Sequence, residues 1–247
     1  LAANTTASNN TGVGFSALTA NTTAGSNTAV GKSALGANTT GSSNVAVGVT
    51  TLDANTIGSD NVAMGNGALG SNTTASGNTA IGHEALTANT TGTRNTAVGK
   101  SAGASLTTGG YNVLLGHQTG DSLTDQSFNI AIGDTSMGEA TCQQSVAIGQ
   151  ESLSKSTGQF NLGIGHQGGR YYTSGNQNVF VGAFSGTGVD GSSTGGNNTG
   201  VGYNTLNANT TGAGNVALGS LALDANTTAS NNTAIGYFSL SVNTTGT

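Results

Sequence analysis

Short runs of apolar residues, each closed by a glycine, recur along the whole chain. One run reads Asn-Val-Ala-Val-Gly at residues 44–48, and the next reads Asn-Val-Ala-Met-Gly at 61–65, 17 residues later. A fixed period indicates a repeat architecture, and 17 residues are too few for a pair of helices. The pattern predicts a parallel β-solenoid of about 14 coils, one coil per repeat. The closing glycines are Gly14, Gly31, Gly48, Gly65, Gly82, Gly99, Gly116, Gly133, Gly149, Gly165, Gly182, Gly202, Gly219 and Gly236.

Each repeat divides into two apolar segments and two turns. The first segment, Asn-Thr-Ala-Val-Gly at residues 27–31, is rich in β-branched residues and predicts a strand. The second segment, Ala-Leu-Gly-Ala-Asn at residues 34–38, predicts a second strand. The turns fall at segments such as Thr-Gly-Ser, with Gly41, Gly58 and Gly92 at corners where glycine tolerates a positive φ. The fold class predicted from this pattern is all-β.

Asparagine stands four residues before nearly every closing glycine, and Ser145 takes its place once. A side-chain amide both donates and accepts hydrogen bonds, so stacked asparagines can bond from coil to coil. A second asparagine series begins at Asn21 and Asn38. We interpret both series as structural ladders. The regular members of the first ladder are Asn27, Asn44, Asn61, Asn78 and Asn95.

The first strand is apolar on both of its faces. Successive strand residues point to opposite sides, and all three residues of Val-Ala-Val at 45–47 are apolar. One face can fill the coil interior, whereas the other must meet water or another chain. A leucine series at Leu18, Leu35, Leu52, Leu69 and Leu86 adds a further apolar row. Because so long an apolar ribbon is unusual on a monomer, we expect a homo-oligomer.

The repeat resembles two kinds of attachment protein. Residues 43–48, Ser-Asn-Val-Ala-Val-Gly, are similar to the Ser-Val-Ala-Ile-Gly head repeats of YadA-like trimeric autotransporter adhesins. The Asn-Thr-Ala-Ile-Gly unit at 78–82 and the Asn-Thr-Thr-Gly units also look like repeats of long phage tail fibres. The resemblance covers almost the whole chain, although the repeat is longer than that of the adhesin heads. It implies a left-handed β-roll, three chains around one axis, and a role in attachment to a host surface.

Charge is scarce in this chain and is not clustered. Charged residues make up 6% of the 247 residues, and the net charge is −5 with only five lysines and arginines. Nucleic-acid binding needs a basic stripe, so we expect no nucleic-acid partner. No apolar run approaches the roughly 20 residues that span a bilayer, so we expect no membrane insertion. The chain starts inside a repeat, which predicts a piece of a longer fibre, and its single cysteine, Cys142, allows no internal disulfide.

The motifs of catalysis and of cofactor or metal binding are missing from the sequence. There is no nucleophile elbow, no phosphate-binding loop and no calcium loop with alternating aspartates. We therefore expect a protein that is not an enzyme, with no cofactor and no metal. His83, His117 and His166 each follow a closing glycine, a position of varied residues that is typical of a solvent-facing surface. The alternative is that His117 or His166 forms a ring around a trimer axis and binds an ion.

The coils differ in regularity, although we predict a single domain over residues 1–247. The coils formed by residues 1–102 and 197–247 are regular, whereas those formed by residues 103–196 are irregular and rich in aromatic residues. Irregular repeats often form a binding face, and aromatic and arginine residues are favoured there. We therefore predict a receptor contact at Arg170, Tyr171, Tyr172 and Phe184. The alternative is that these aromatic residues fill a wider coil.

Three functions remain compatible with the sequence. The favoured prediction is an extracellular structural and adhesive rod of a phage tail fibre or cell-surface adhesin, which binds a host-surface glycan or protein receptor. A second is an ice-binding solenoid that uses threonine pairs such as Thr22-Thr23 and Thr39-Thr40. A third is a structural subunit of an extracellular filament.

Overall fold

The computed structural model describes residues 3–246, which contain fourteen β-strands and no helix. The predicted all-β fold, a parallel β-solenoid, is confirmed. The chain divides into two compact units, Leu1–Ser127 and Phe128–Thr247, called here the first and the second unit. The boundary between them falls inside the irregular coils 103–196, which the repeat pattern assigns to one continuous domain.

Every strand is three residues long and ends directly before a closing glycine. The strands of the first unit are β1 (Thr11–Val13), β2 (Thr28–Val30), β3 (Val45–Val47), β4 (Val62–Met64), β5 (Thr79–Ile81), β6 (Thr96–Val98) and β7 (Val113–Leu115). Those of the second unit are β8 (Ile130–Ile132), β9 (Val146–Ile148), β10 (Leu162–Ile164), β11 (Val179–Val181), β12 (Thr199–Val201), β13 (Val216–Leu218) and β14 (Thr233–Ile235).

Consecutive strands within each unit pair in parallel and in register. In the first unit Ala46 lies opposite Ala29 on one side and Ala63 on the other. The register survives the 20-residue repeat of the second unit, where Phe180 still pairs with Gly200. A slip of one residue would turn the buried central residue of a strand outward. The change in repeat length is therefore absorbed between the strands.

The predicted second strand is wrong. Residues 34–37 form consecutive turns and Asn38 is not in a strand; Leu35 has a φ of +50°, in the left-handed region. That conformation costs a leucine about 1–2 kcal/mol. Complete burial of Leu35 offsets the cost, because burying a leucine side chain contributes about 1.5–3 kcal/mol. The whole leucine series lies in the interior, so it does not add to an exposed apolar face as the sequence analysis predicts.

The closing glycines are required by the stacking of coils. Gly48 has a φ of +140°, and all fourteen closing glycines have a positive φ. A Cβ atom on Gly48 would lie 2.7 Å from the carbonyl oxygen of Gly65 in the next coil. The backbones of neighbouring coils therefore approach too closely at this position for any side chain.

Large and small residues compensate for one another in the interior of neighbouring coils. Regular coils bury an alanine from the strand and a leucine from the turn. Where the strand residue is larger, glycine replaces the leucine of its own coil and of the coil before: Gly103 and Gly120 adjoin Leu114, and Gly169 and Gly186 adjoin Phe180. A Cβ atom on Gly120 would lie 2.8 Å from Leu114 Cδ2. Close packing of the core thus explains the glycines of the irregular coils.

Candidate functional site

The first asparagine ladder satisfies buried main-chain groups between neighbouring coils. The amide nitrogen of Asn61 donates to Asn44 Oδ1 at 3.0 Å, and Asn61 Oδ1 accepts from the amide of Asn78 at 3.0 Å. Asn61 Nδ2 donates to the Ala75 carbonyl at 2.9 Å. Ser145 preserves the chain of contacts, because its Oγ accepts from the amide of Asn161. These side chains are buried, so the ladder is structural and is closed to an external ligand.

The second ladder lies beside the first, because both donate to the same carbonyls, as Asn44 Nδ2 and Asn55 Nδ2 do to that of Gly58. Asn55 Nδ2 donates to Asn38 Oδ1 at 2.9 Å and to the Gly58 carbonyl at 2.9 Å. In the second unit a tyrosine takes part, because Asn209 Nδ2 donates to the Tyr172 hydroxyl at 2.6 Å. Burial raises the pKa of that hydroxyl. Tyr172 is fully buried against Phe180, with ring centroids 4.7 Å apart, so its side chain fills the coil and cannot form the predicted receptor contact.

Arg170 and Tyr171 lie at the surface in a cluster of charges. The guanidinium of Arg170 lies 4.8 Å from the centroid of the Tyr171 ring, and Lys155 Nζ lies 5.5 Å from it. Arg170 Nη1 is 2.6 Å from Glu151 Oε2, and Lys155 Nζ is 2.9 Å from Asp190 Oδ2. In a chain with 6% charged residues, this concentration of charge marks a distinct surface, called here the Tyr171 cluster.

The Tyr171 cluster is held together by the long repeat. Asp190 lies in the extra residues of the 20-residue coil, whose chain turns back where the amide of Val189 donates to Ser193 Oγ at 2.7 Å. The hydrogen bond that Lys155 donates to Asp190 raises the pKa of its ammonium group, so the lysine is charged at neutral pH. Glu139 lies 3.8 Å from the same ammonium. The sequence analysis missed Lys155 and Glu139, although aligning the coils places both at one position of the repeat.

Phe184 belongs to a different surface from the Tyr171 cluster. Its ring meets His166 edge-on with centroids 5.0 Å apart, and Tyr203 edge-on at 5.9 Å. His166 is half-buried by this contact, whereas His83 and His117 are exposed as predicted. The four residues predicted as one contact are therefore divided among the core, the Tyr171 cluster and a separate aromatic row.

On the outward face of the strands the third residue is always apolar, whereas the first is threonine in six of the fourteen strands. In β3 the central Ala46 is fully buried, whereas Val45 and Val47 are half-buried and point away from the coil. The third strand residue is aliphatic or methionine in every coil, and Met64 in β4 and Ile81 in β5 keep 42% and 37% of their surface exposed. These third residues form a continuous apolar row within each unit, called here the outward row.

The threonine pairs do not present two ranks of free hydroxyls. The first hydroxyl of each pair donates to the main chain of the next coil, as Thr22 Oγ1 does to the Thr39 carbonyl at 3.1 Å. The second threonine is exposed, as in Thr40 and Thr74, but Ile57 interrupts this rank. Among residues 3–246, the threonine pairs thus contribute a single exposed rank, which is interrupted.

Metal, thiol and membrane features complete the description of residues 3–246. No three His, Cys, Asp or Glu side chains in this part of the chain come together in a way that could hold a metal ion. Burial raises the pKa of the Cys142 thiol to about 12, so the thiol stays protonated and unreactive in the folded chain. None of these residues forms a helix with the length and apolarity needed to cross a bilayer.

Comparison with protein-family models, with curated protein sequences and with solved structures finds no match for the chain. The outward row, the Tyr171 cluster and the resemblance of the repeat to attachment proteins are the features that bear on function.

Proposed function

We propose that this chain is a structural and adhesive segment of an extracellular fibre, of the kind found in phage tail fibres and trimeric cell-surface adhesins. Three copies pack through their outward rows, and the assembled segment attaches to a glycan or protein of a host surface. The observation that carries the proposal is the aliphatic outward row, which repeats without interruption beside a fully buried strand position. On a single chain, such a row would leave apolar surface exposed to water. A symmetric assembly of several chains would bury that surface.

Assembly through the outward row can be tested with lysine substitutions. Met64→Lys combined with Ile81→Lys places two charges in the contact, where each charge would be buried without a partner. We expect the double variant to dissociate at concentrations where the parent chain remains assembled. The matched control is Thr74→Lys with Thr91→Lys, which changes exposed residues of the same two coils. Equal dissociation of both variants, or of neither, would argue against packing through this row.

The Tyr171 cluster is the favoured attachment surface. Arg170 and Tyr171 are partly exposed. An ion pair with Glu151 holds Arg170, and the Tyr171 ring lies against the Arg170 guanidinium, which lowers the entropy lost on binding. Binding of the labelled assembly to intact bacterial cells and to immobilised glycans measures attachment. We expect Tyr171→Ala to reduce retention at least about tenfold, as for a central aromatic contact. Lys100→Ala, which removes an exposed charge elsewhere, should leave retention unchanged.

Ice binding is the less favoured function because the exposed threonines form one interrupted rank. Thermal hysteresis in a solution of the purified chain would contradict the adhesive proposal, especially if the active species were monomeric.

A further inference from the structure

A notch interrupts one corner of the coils in the first unit. The last residue before the ladder asparagine is Asp60 in one coil, Gly77 in the next and Arg94 in the one after. Gly77 has no side chain, so a groove of about 230 Å³ lies between its two charged neighbours. Ser76 and Thr93 complete its lining. The groove is smaller than the pockets of about 300–1,000 Å³ that hold drug-sized ligands, so it fits a ligand of a few heavy atoms.

Residues of opposite charge flank this notch, and the Arg94 guanidinium extends toward Tyr111 in the next coil. Asp60 and Arg94 are both exposed, and no ion pair between them is present among residues 3–246. Two coil spacings, about 9.6 Å, separate their backbones. The Arg94 stem lines the notch, because a Cβ atom on Gly77 would lie 3.6 Å from Arg94 Cγ. One guanidinium nitrogen donates to the Tyr111 hydroxyl, which fixes the group and leaves other donors for a ligand.

We propose that the notch binds a small zwitterionic group, in which an ammonium lies close to a carboxylate or phosphate. The ammonium pairs with Asp60, the anionic group pairs with the guanidinium of Arg94, and the hydroxyls of Ser76 and Thr93 offer further hydrogen bonds. A ligand with a single charge would leave one wall without a partner. A free amino acid and an amino-phosphate headgroup share this chemistry. The site lies in the first unit, and its failure would leave the fibre proposal unaffected.

The repeat itself supplies a conservative way to fill the notch. At the position equivalent to Gly77, Asn197 and Asn231 have φ angles of +58° and +62°, close to the +72° of Gly77. Gly77→Asn is therefore compatible with the backbone and places an amide in the groove. Gly214 occupies the same corner in the second unit, with a φ of +67°, between two asparagines. Gly214→Asn is the matched control, because it makes the same change where no charged walls exist.

Saturation-transfer NMR titrations of the full chain test the proposal. The probes are O-phosphoethanolamine and β-alanine, with acetate, ethylammonium and methyl α-glucopyranoside as controls. Exposed ion pairs are weak, so we expect a dissociation constant of about 1–10 mM for the zwitterions and much weaker binding of the controls. Preference for O-phosphoethanolamine would favour a headgroup, and preference for β-alanine would favour an amino acid.

The variants decide whether the notch is the site. Gly77→Asn, Asp60→Asn and Arg94→Gln should each weaken zwitterion binding at least about fivefold, whereas Gly214→Asn should not change it. About 0.5 M salt should weaken binding by a similar factor, because both contacts are exposed ion pairs. Undetectable binding of both zwitterions at about 50 mM would overturn the proposal. So would equal binding of the neutral sugar, or full binding by Gly77→Asn.

Discussion

The side-chain amides of the stacked asparagines replace main-chain partners at the coil corners. The Oδ1 atom of each asparagine accepts from the main-chain amide of the next ladder asparagine, as between Asn61 and Asn78. Its Nδ2 atom donates to a carbonyl three residues before that next asparagine, here Ala75. A buried polar group without a partner costs about 1–3 kcal/mol. One asparagine of the first ladder therefore supplies the acceptor for a buried main-chain amide, and it shares a buried carbonyl with an asparagine of the second ladder. This explains why the residue repeats in coils whose other positions vary.

Replacing one ladder asparagine should be costly. Asn61→Ala leaves the amide of Asn78 without its acceptor, and it leaves the carbonyl of Ala75 with one donor, Asn72 Nδ2 at 3.1 Å. We expect the free energy of unfolding to fall by about 1–3 kcal/mol, measured by urea denaturation. Asn66→Ala is the control, because Asn66 is exposed, and its cost should stay within about 0.5 kcal/mol. Equal effects of the two substitutions would contradict the role assigned to the ladder.

A closing glycine should tolerate no side chain. Gly48→Ala would press a Cβ atom against the Gly65 carbonyl and Thr51 Oγ1, both 2.7 Å away. We expect a loss of more than about 3 kcal/mol of stability, seen as a lower urea midpoint. Gly191→Ala has a positive φ of +71° but no atom within 4 Å, so it should cost only about 1–2 kcal/mol. Similar midpoints for the two variants would show that φ, and not the approach of the coils, requires the glycine.

At the scale of the coil, interior volume is shared between the strand and the turn. Phe180 occupies the strand position that alanine holds in regular coils, and Gly186 stands where they have leucine. The leucines at this position have φ angles close to the +55° of Gly186. The backbone therefore accepts either residue, and packing alone selects the glycine.

A double-mutant cycle measures this compensation. Phe180→Ala should cost about 3–5 kcal/mol because it leaves a cavity, and Gly186→Leu about 1–3 kcal/mol because it overfills the coil. The double variant restores the composition of a regular coil, so its loss should be smaller than the sum of the two single losses. Thermal unfolding of the four proteins gives the coupling energy. Simple additivity would contradict a shared interior volume.

The sequence predicts the strand of each coil and misjudges the turn. The alternation in Val-Ala-Val and the spacing of the asparagines are local signals, and they predict both the strand position and the ladders. The segment around Leu35 was predicted as a strand because it is apolar. It forms a left-handed turn instead, which is stabilised by burial of Leu35 against neighbouring coils, and this burial is not visible in the local sequence. The Tyr171 cluster was predictable in part. Arg170 and Tyr171 are conspicuous, but their link to Asp190 depends on how the extra residues of one coil fold.

At the scale of the whole molecule, the outward row is the feature that most needs an explanation. From β2 onward, folding buries the central strand residue and leaves its two neighbours half-buried or exposed. The apolar third residue cannot contribute to the interior of its own chain. The regular recurrence of this apolar residue is explained if the outward row of another copy of the chain packs against it. The resemblance to trimeric adhesins implies such an assembly.

The molar mass of the native chain in solution, measured by light scattering over a range of concentrations, tests this account most directly. The account predicts three times the chain mass of 23.8 kDa. It also predicts that the Met64→Lys and Ile81→Lys double variant shifts toward the single-chain mass. A mass of 23.8 kDa for the parent chain at every concentration would contradict assembly through the outward row.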